Sequence, residues 1–381
     1  MELTIGLNQV VYIIGIVNCI FLGLILLRST SGNSPANRLL AVLFIVWAYG
    51  FFYTFYITSG MYRAYPHIIM VGAGITFLNG PLLYLYIRTM VRPGFVFTVK
   101  HLLHFLPFLI NTVYLVPFYF KTAEYKMAYL EYLHDYSSPF FLIVYAQLLH
   151  LAIYLALGVI EIHQHRKMIR ERFSSIEKIT LTWLRNLLIG VLFALVSYVS
   201  ILVYYSIATI DPVYINKFSD ILIVVIIHYI GYSAVVQPQI YTSGSHDTGS
   251  VKKYEKSFLD ENAINEIAGQ LEKLMKDDKP YLGSELTLAK LASMLSVSPN
   301  HLSQVINRQY RMNFYDYVNS YRVEEAKKIL QEDISGNKKI LEIAYDAGFK
   351  SKSTFNTIFR EVTATTPTQF RQTIKVPCKK N

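Results

Sequence analysis

Two short stretches in the last third of this 381-residue chain concentrate amide, hydroxyl and basic side chains at helical spacing. The first holds Asn300, His301, Ser303, Gln304, Asn307 and Arg308, and the second holds Lys352, Ser353, Asn356, Thr357 and Arg360. Amides and hydroxyls both donate and accept hydrogen bonds, and guanidinium and ammonium groups pair with phosphate. Such a set matches base-pair edges and the sugar–phosphate backbone of a duplex.

The elements that must carry these residues are written twice. Leu288, Leu291, Ala292 and Leu295 recur at helical spacing, Ser296-Val297-Ser298-Pro299 breaks the helix, and Leu302, Val305 and Ile306 resume it. Ile340, Ile343, Ala344 and Ala347 repeat that face, Gly348-Phe349-Lys350-Ser351 breaks it, and Phe355, Ile358 and Phe359 resume. The offset is 52 residues before each turn and 53 after it, so the second turn has gained one residue. This is an internal repeat of one supersecondary unit, and each copy predicts a helix-turn-helix. Ala292 and Ala344 permit a close helix crossing, Gly348 suits a left-handed turn, and Ser298-Pro299 supplies an N-cap followed by proline at the first helical position. A single copy would describe any helical hairpin with a solvated face; the tandem singles it out. Between the copies, Phe314, Tyr317, Val318, Tyr321, Ala326, Ile329 and Leu330 predict a connecting helix over residues 313–331. Such a helix spans about 27 Å at 1.5 Å per residue, close to the roughly 34 Å between successive major grooves on one side of B-DNA. Two reading helices can thus enter neighbouring grooves.

The stretches LAKLASMLSVSPNHLSQVIN, FYDYVNSYRVEEAKKIL and IAYDAGFKSKSTFNTIFREVTATTPTQFR resemble the DNA-binding domain of AraC/XylS-type transcription regulators, over about a hundred residues. The resemblance implies a seven-helix, two-module domain that binds promoter DNA, usually to activate transcription, with RNA polymerase as a partner; a homodimer on DNA is a separate expectation. It places base reading on Asn300, Ser303 and Gln304, and on Ser353, Asn356 and Thr357, with Lys352 nearby. The chain departs from the family pattern at Arg311 and Ala364, where glycine is favoured, and at Phe370, where tyrosine is usual.

The rest of the chain is of another kind. At 53% hydrophobic and 16% charged, the sequence is too apolar for a soluble protein of this length, and most of the excess falls before residue 241. Seven stretches have the roughly 20 predominantly apolar residues that a membrane-spanning helix needs. They are residues 6–27, 39–58, 66–90, 101–120, 139–160, 187–209 and 218–240. The start reads as an uncleaved first span, because its leading residues include Glu2 and no Lys or Arg. The expected fold class is therefore all-α: a seven-helix transmembrane bundle over residues 1–240, then a cytoplasmic two-module helix-turn-helix domain over 280–373. A linker at 241–257, an amphipathic connecting helix at 258–279 and a basic tail at 374–381 complete the organisation.

Orientation follows from the basic residues that flank the spans. Segments after the first, third and fifth spans hold Arg28 and Arg38, then Arg88, Arg92 and Lys100, then Arg166, Lys167, Arg170, Arg172, Lys178 and Arg185. The opposite side holds only Arg63, Lys121, Lys126 and Lys217. Positive-inside puts the N-terminus outside an inner, cytoplasmic-type membrane and the carboxyl end in the cytoplasm. A DNA reader has to be on that side, and an odd number of spans allows it. Residues 281–381 carry 15 Lys+Arg against 9 Asp+Glu, which suits a polyanion. The loop at 161–186 reads as helical extensions of its neighbours, and its pattern leaves open whether it lies on the membrane or on the tail.

Polar residues inside apolar stretches are candidates for sensing a signal ligand: Asn79, Asn111, Gln147, His150 and His228. Hydrogen bonding between helices is the competing role for each. The outer loop at 121–138 offers a further docking surface. Lys252, Lys253 and Lys256 lie within reach of anionic lipid. No cofactor or metal site is expected: the chain has two cysteines, and it lacks a Gly-rich phosphate loop, G-x-S-x-G and H-E-x-x-H. The expectation is a non-enzymatic, membrane-tethered transcription regulator. The rival is a transporter or integral-membrane enzyme with a fused regulatory tail.

Overall fold

Apolar runs of twenty residues satisfy their own backbone N–H and C=O groups only as helices, and the first half of the chain takes that form. The computed structural model describes residues 6–29, 33–92, 94–132, 140–177, 179–207, 224, 225, 227, 229, 231, 233, 259–333 and 335–375. The first seven helices are α1 (Leu7–Arg28), α2 (Ser34–Thr58), α3 (Asn79–Val91), α4 (Leu106–Tyr119), α5 (Ala123–Tyr132), α6 (Phe140–Arg172) and α7 (Thr182–Ile207). Those with both ends among the described residues that follow are α8 (Glu261–Asp277), α9 (Leu288–Met294), α10 (Pro299–Gln309), α11 (Phe314–Glu332), α12 (Ile340–Asp346), α13 (Lys352–Thr363) and α14 (Pro367–Lys375). Among the described residues there is no strand beyond one isolated antiparallel bridge, Phe173 to Thr287. The chain divides into two units: Met1–His163 with Leu181–Ser245, and Gln164–Thr180 with His246–Asn381.

In the first unit, five helical segments among the described residues are long and apolar enough to cross a membrane: Asn8–Arg28, Ser34–Thr58, Val99–Tyr119, Leu142–Arg172 and Thr182–Ser200. They match the first, second, fourth, fifth and sixth expected spans. The third does not form as expected. Residues 66–90 are not one helix: 3-10 turns occupy Pro66–Ile68 and Ile75–Leu78, and α3 has only 13 residues. At 1.5 Å per residue α3 is about 20 Å long, short of the roughly 30 Å hydrocarbon core. Gly72, at φ +74°, breaks the run ahead of it. Pro81 falls in the first turn of α3, where a missing N–H costs no helical hydrogen bond. The seventh expected span, 218–240, lies mostly outside the described residues. Cys19, Leu40, Leu43 and Phe44 form the packed interior, while Val17, Phe21, Ile110, Val113, Leu149, Ile153, Leu192 and Val196 point outward. Apolar side chains on the outer faces of long helices are the inverse of a water-soluble bundle.

The second unit holds the repeat. Leu291, Ala292, Leu302, Val305 and Ile306 close the first module's core, and Ile343, Ala344, Phe355, Ile358 and Phe359 close the second. Helix α11 serves both: Phe314, Tyr317 and Val318 face the first core, Val323, Ala326 and Leu330 the second. The connecting helix expected at 258–279 is α8, capped by Asp260, whose carboxylate accepts from Ala263 N at 2.8 Å. It buries Ile264, Ile267, Ala268, Leu271 and Met275 in the first module's core.

The two turns are built alike. Val297 N donates to Ala292 O at 3.0 Å and Phe349 N to Ala344 O at 2.9 Å, with Ser296 (φ +55°) and Gly348 (φ +86°) in the left-handed region. Ser298 and Ser351 then cap the second helices, accepting from His301 N at 3.1 Å and Thr354 N at 3.2 Å. The left-handed residues are 52 apart and the caps 53 apart, so the additional residue enters between them, where Lys350 lies. Arg311 and Ala364 also sit at positive φ, +55° and +60°. A left-handed conformation costs a residue with a Cβ about 1–2 kcal/mol, partly offset by the greater chain entropy of glycine. Arg311→Gly and Ala364→Gly are therefore each expected to stabilise the second unit by about 0.5–1 kcal/mol, read as a raised thermal midpoint. A lowered midpoint for both would refute this reading of the turns.

Candidate nucleic-acid interface

The buried stripe of each second helix decides what remains outside. Burying Leu302, Val305 and Ile306 leaves Asn300, Asn307 and Arg308 of α10 exposed and His301, Ser303 and Gln304 half-buried. Burying Phe355, Ile358 and Phe359 leaves Lys352, Ser353, Thr357 and Arg360 of α13 exposed and Asn356 half-buried. All eleven expected residues thus lie on the second helices of the modules, off the cores. Asn307 Nδ2 donates to Ser303 Oγ at 3.3 Å, and Thr357 Oγ1 donates to Ser353 O at 3.1 Å. Gln304 Oε1 is enclosed and has no hydrogen-bond partner among the described residues.

What joins the modules is more heavily built than the reading faces. Arg322, on α11 between the two cores, is 1% exposed. Its Nε donates to Tyr281 O at 2.7 Å, one terminal nitrogen to Ser174 O at 3.0 Å and Asn319 Oδ1 at 3.1 Å, and the other to Ser174 Oγ and Gly283 O, both at 3.0 Å. Burial pulls its pKa down to about 10, with the Glu177 carboxylate opposing, so the group stays cationic at neutral pH. Lys350, the additional residue of the second turn, pairs with Glu285 at 2.8 Å. Lys279 Nζ and Tyr281 OH both donate to Glu325, at 2.9 and 3.1 Å. Burial pushes the Glu325 carboxyl up, but these hydrogen bonds and the lysine charges outweigh it and hold the pKa below the usual range.

Sequence reasoning missed Arg322. A signal was present: it follows Tyr315, Val318 and Asn319 and precedes Ala326 on the buried side of α11, a charged residue in an otherwise inward stripe.

In the first unit, four of the five sensing candidates gather around residues 73–80. Gln147 Nε2 donates to Ala73 O at 2.8 Å, and a Cβ on Gly74 would lie 2.5 Å from Asn111 Nδ2. Asn79 opens α3, and His150 packs edge-on to Phe77 with ring centroids 5.3 Å apart. Asn79 Oδ1, Asn111 Nδ2 and His150 Nδ1 are buried without a hydrogen-bond partner among the described residues. His228 lies outside the described residues. Among the described residues, no group of His, Cys, Asp and Glu is placed to hold a metal ion.

Residues 291–373 match the family model described as a helix-turn-helix domain. The chain is similar to an uncharacterised HTH-type transcriptional regulator, YijO, of Escherichia coli (strain K12), 32% identical over 95 residues that cover 25% of this chain and 32% of that protein. It is similar to the bifunctional transcriptional activator/DNA repair enzyme AdaA of Bacillus subtilis (strain 168), 35% identical over 24% of this chain and 42% of that one. A solved structure, the C-terminal domain of the response regulator AraT from Geobacillus stearothermophilus, is 27% identical over 30% of this chain and 90% of that domain, at a TM-score of 0.25. The chain spans about a third of YijO and 11% of a further relative, the regulator YtdP of Bacillus subtilis (strain 168). The likeness lies at the carboxyl end, which is a helix-turn-helix domain of the AraC type.

Proposed function

We propose that the chain is a membrane-tethered, sequence-specific DNA-binding transcription regulator: the apolar unit senses a signal, and α10 and α13 read promoter DNA in successive major grooves. The observation that carries this is the pairing, in one polypeptide, of two polar-faced second helices with helices apolar enough to cross a membrane, five among the described residues. In this reading the domain lies on the cytoplasmic side, where the DNA is, in keeping with the cluster Arg166, Lys167, Arg170 and Arg172 at the end of α6. In this reading it binds DNA as a homodimer and, by the resemblance, contacts RNA polymerase, as regulators of that type usually do to activate transcription. Asn79, Asn111, Gln147 and His150, gathered around the broken third segment, are the favoured place for a small polar signal, since Asn79, Asn111 and His150 each keep a buried polar atom unpaired among the described residues, which is expensive away from water.

In the reading helices, Gln304→Ala and Asn356→Ala are each expected to weaken binding to the specific duplex by about 1–3 kcal/mol while leaving non-specific binding unchanged. An equal loss on all sequences would assign both residues to the backbone. Lys352→Ala should instead weaken all duplexes alike and reduce the salt slope by about one phosphate contact. Fluorescence anisotropy of detergent-purified full-length variants, against salt, separates the two behaviours.

A further inference from the structure

Phe173–Ile176, the residues that directly follow α6, pack within the DNA-reading unit. Ser174 N and Ser174 Oγ both donate to Leu286 O, at 3.2 and 2.7 Å, and Ser175 Oγ donates to Ser284 O at 2.8 Å. Phe173 pairs with Thr287 across the antiparallel bridge. Ile176 packs on the second module's core, and Arg170 sits 5.2 Å from the Tyr315 ring and pairs with Asp316 at 3.3 Å. Ser174 O and Ser174 Oγ are also two of the oxygens that hold the Arg322 guanidinium. The backbone leading into the first module, the shared helix α11 and the second module's core are therefore tied together by four consecutive residues.

Two features give these contacts direction. The first is what they spare: no described contact of Phe173–Ile176 reaches the polar faces of α10 or α13. The segment is therefore a brace at the joint and not a cover over the reading surface. The second is connectivity, because the segment is continuous with α6 before it and leads into α7 after it, both apolar helices of spanning length. A shift of α6 against α7 is delivered to these residues through the backbone.

We propose that Phe173–Ile176 is a removable brace whose docking beside Arg322 holds the two reading modules in the DNA-competent geometry, and that its withdrawal by α6 and α7 is how the membrane unit lowers DNA affinity. The inference rests on the DNA-binding reading above. A docked brace orders the joint before DNA arrives, so binding does not have to bear that ordering. An undocked brace removes Ser174 from Arg322 and leaves a buried cation short of acceptors, which loosens α11 and the spacing of the modules.

A reversible lock tests this. Residues opposed in an antiparallel bridge have Cα atoms about 4.5–5.5 Å apart, within the range a disulfide spans. Phe173→Cys with Thr287→Cys, in full-length protein carrying Cys19→Ala and Cys378→Ser and held in lipid nanodiscs, should cross-link on mild oxidation. Ile176→Asp is then added to expel the brace. The probe is a duplex selected from a random-sequence pool on the unaltered full-length protein. The expected result is that reduced Ile176→Asp protein binds this duplex at least tenfold more weakly, and that oxidation restores the affinity. Failure of the disulfide to form without Ile176→Asp would show that the brace is not docked. A disulfide that forms but leaves the affinity of the Ile176→Asp protein at its reduced value would show that docking does not control reading. Either result overturns this proposal while leaving DNA binding intact. If the unaltered protein selects no duplex at all, the DNA-binding reading fails, and this inference fails with it.

Discussion

Arg322→Ala is expected to destabilise the second unit by about 3–5 kcal/mol, the scale expected when a large buried side chain is truncated and several buried acceptors lose their donor together. The guanidinium is the shared donor for Tyr281 O, Gly283 O, Ser174 O, Ser174 Oγ and Asn319 Oδ1. Truncation leaves these acceptors facing a void that no other side chain fills, and each buried acceptor left unpaired costs about 1–3 kcal/mol. No carboxylate lies within ion-pair distance of the guanidinium among the described residues, so carbonyl and hydroxyl dipoles solvate the charge. Arg322→Lys is expected to recover less than half of the loss, because a lysine ammonium presents three hydrogens from one point and cannot reach acceptors arranged around a plane. The check is thermal and proteolytic unfolding of residues 259–375 within the full chain. A loss under about 1 kcal/mol for Arg322→Ala would mean that water replaces the guanidinium without cost, contrary to its burial.

Gly348→Ala is expected to be as damaging, for a reason of backbone geometry. Its φ of +86° is strained for any residue with a Cβ, and a Cβ there would lie 2.5 Å from Tyr281 O and 2.9 Å from Leu282 Cα and Leu282 O. The obstructing atoms are main chain, held in place by Arg322 on Tyr281 O and Gly283 O, so they cannot rotate aside. Strain and overpacking together should cost about 3 kcal/mol or more. The repeat supplies its own control. Ser296, the equivalent residue of the first turn, is at φ +55° and exposed, so Ser296→Gly should be neutral or stabilising by up to about 1 kcal/mol. Equal effects at the two positions would contradict the close contact between the second turn and residues 281–282.

The parts of the molecule that could be read from the sequence are those fixed by contacts within about ten residues. Helical periodicity placed α9, α10, α12 and α13, because a stripe such as Phe355, Ile358 and Phe359 needs only one turn to declare its face. The offset of 52 and then 53 residues located the additional residue of the second turn, although not its partner: Glu285 lies 65 positions away from Lys350. Other features depend on distant partners. Arg322 is stable inside only because Tyr281, Gly283 and Ser174 turn oxygens towards it, and Ser174 is 148 residues earlier. The loop after α6 carried an amphipathic pattern consistent with either a membrane surface or a protein surface. What assigns it to the reading unit is a set of backbone-directed contacts by Ser174 and Ser175, which leave no periodic trace. The third apolar stretch failed as a helix for the opposite reason: hydropathy averages over a window, whereas a left-handed Gly72 breaks a helix at one residue.

A polar-faced α10 and α13 mean little if the chain cannot present them to DNA beside a membrane. The most direct test uses the intact protein in membrane vesicles of the two orientations, offered a labelled random-sequence duplex at rising salt. The protein should stay with the vesicles after an alkaline wash, and only inside-out vesicles should capture DNA. Capture should weaken linearly on a log–log plot against salt, as counterion release requires. Capture by right-side-out vesicles, capture by neither, or recovery of the protein in the alkaline supernatant would contradict membrane-tethered DNA binding.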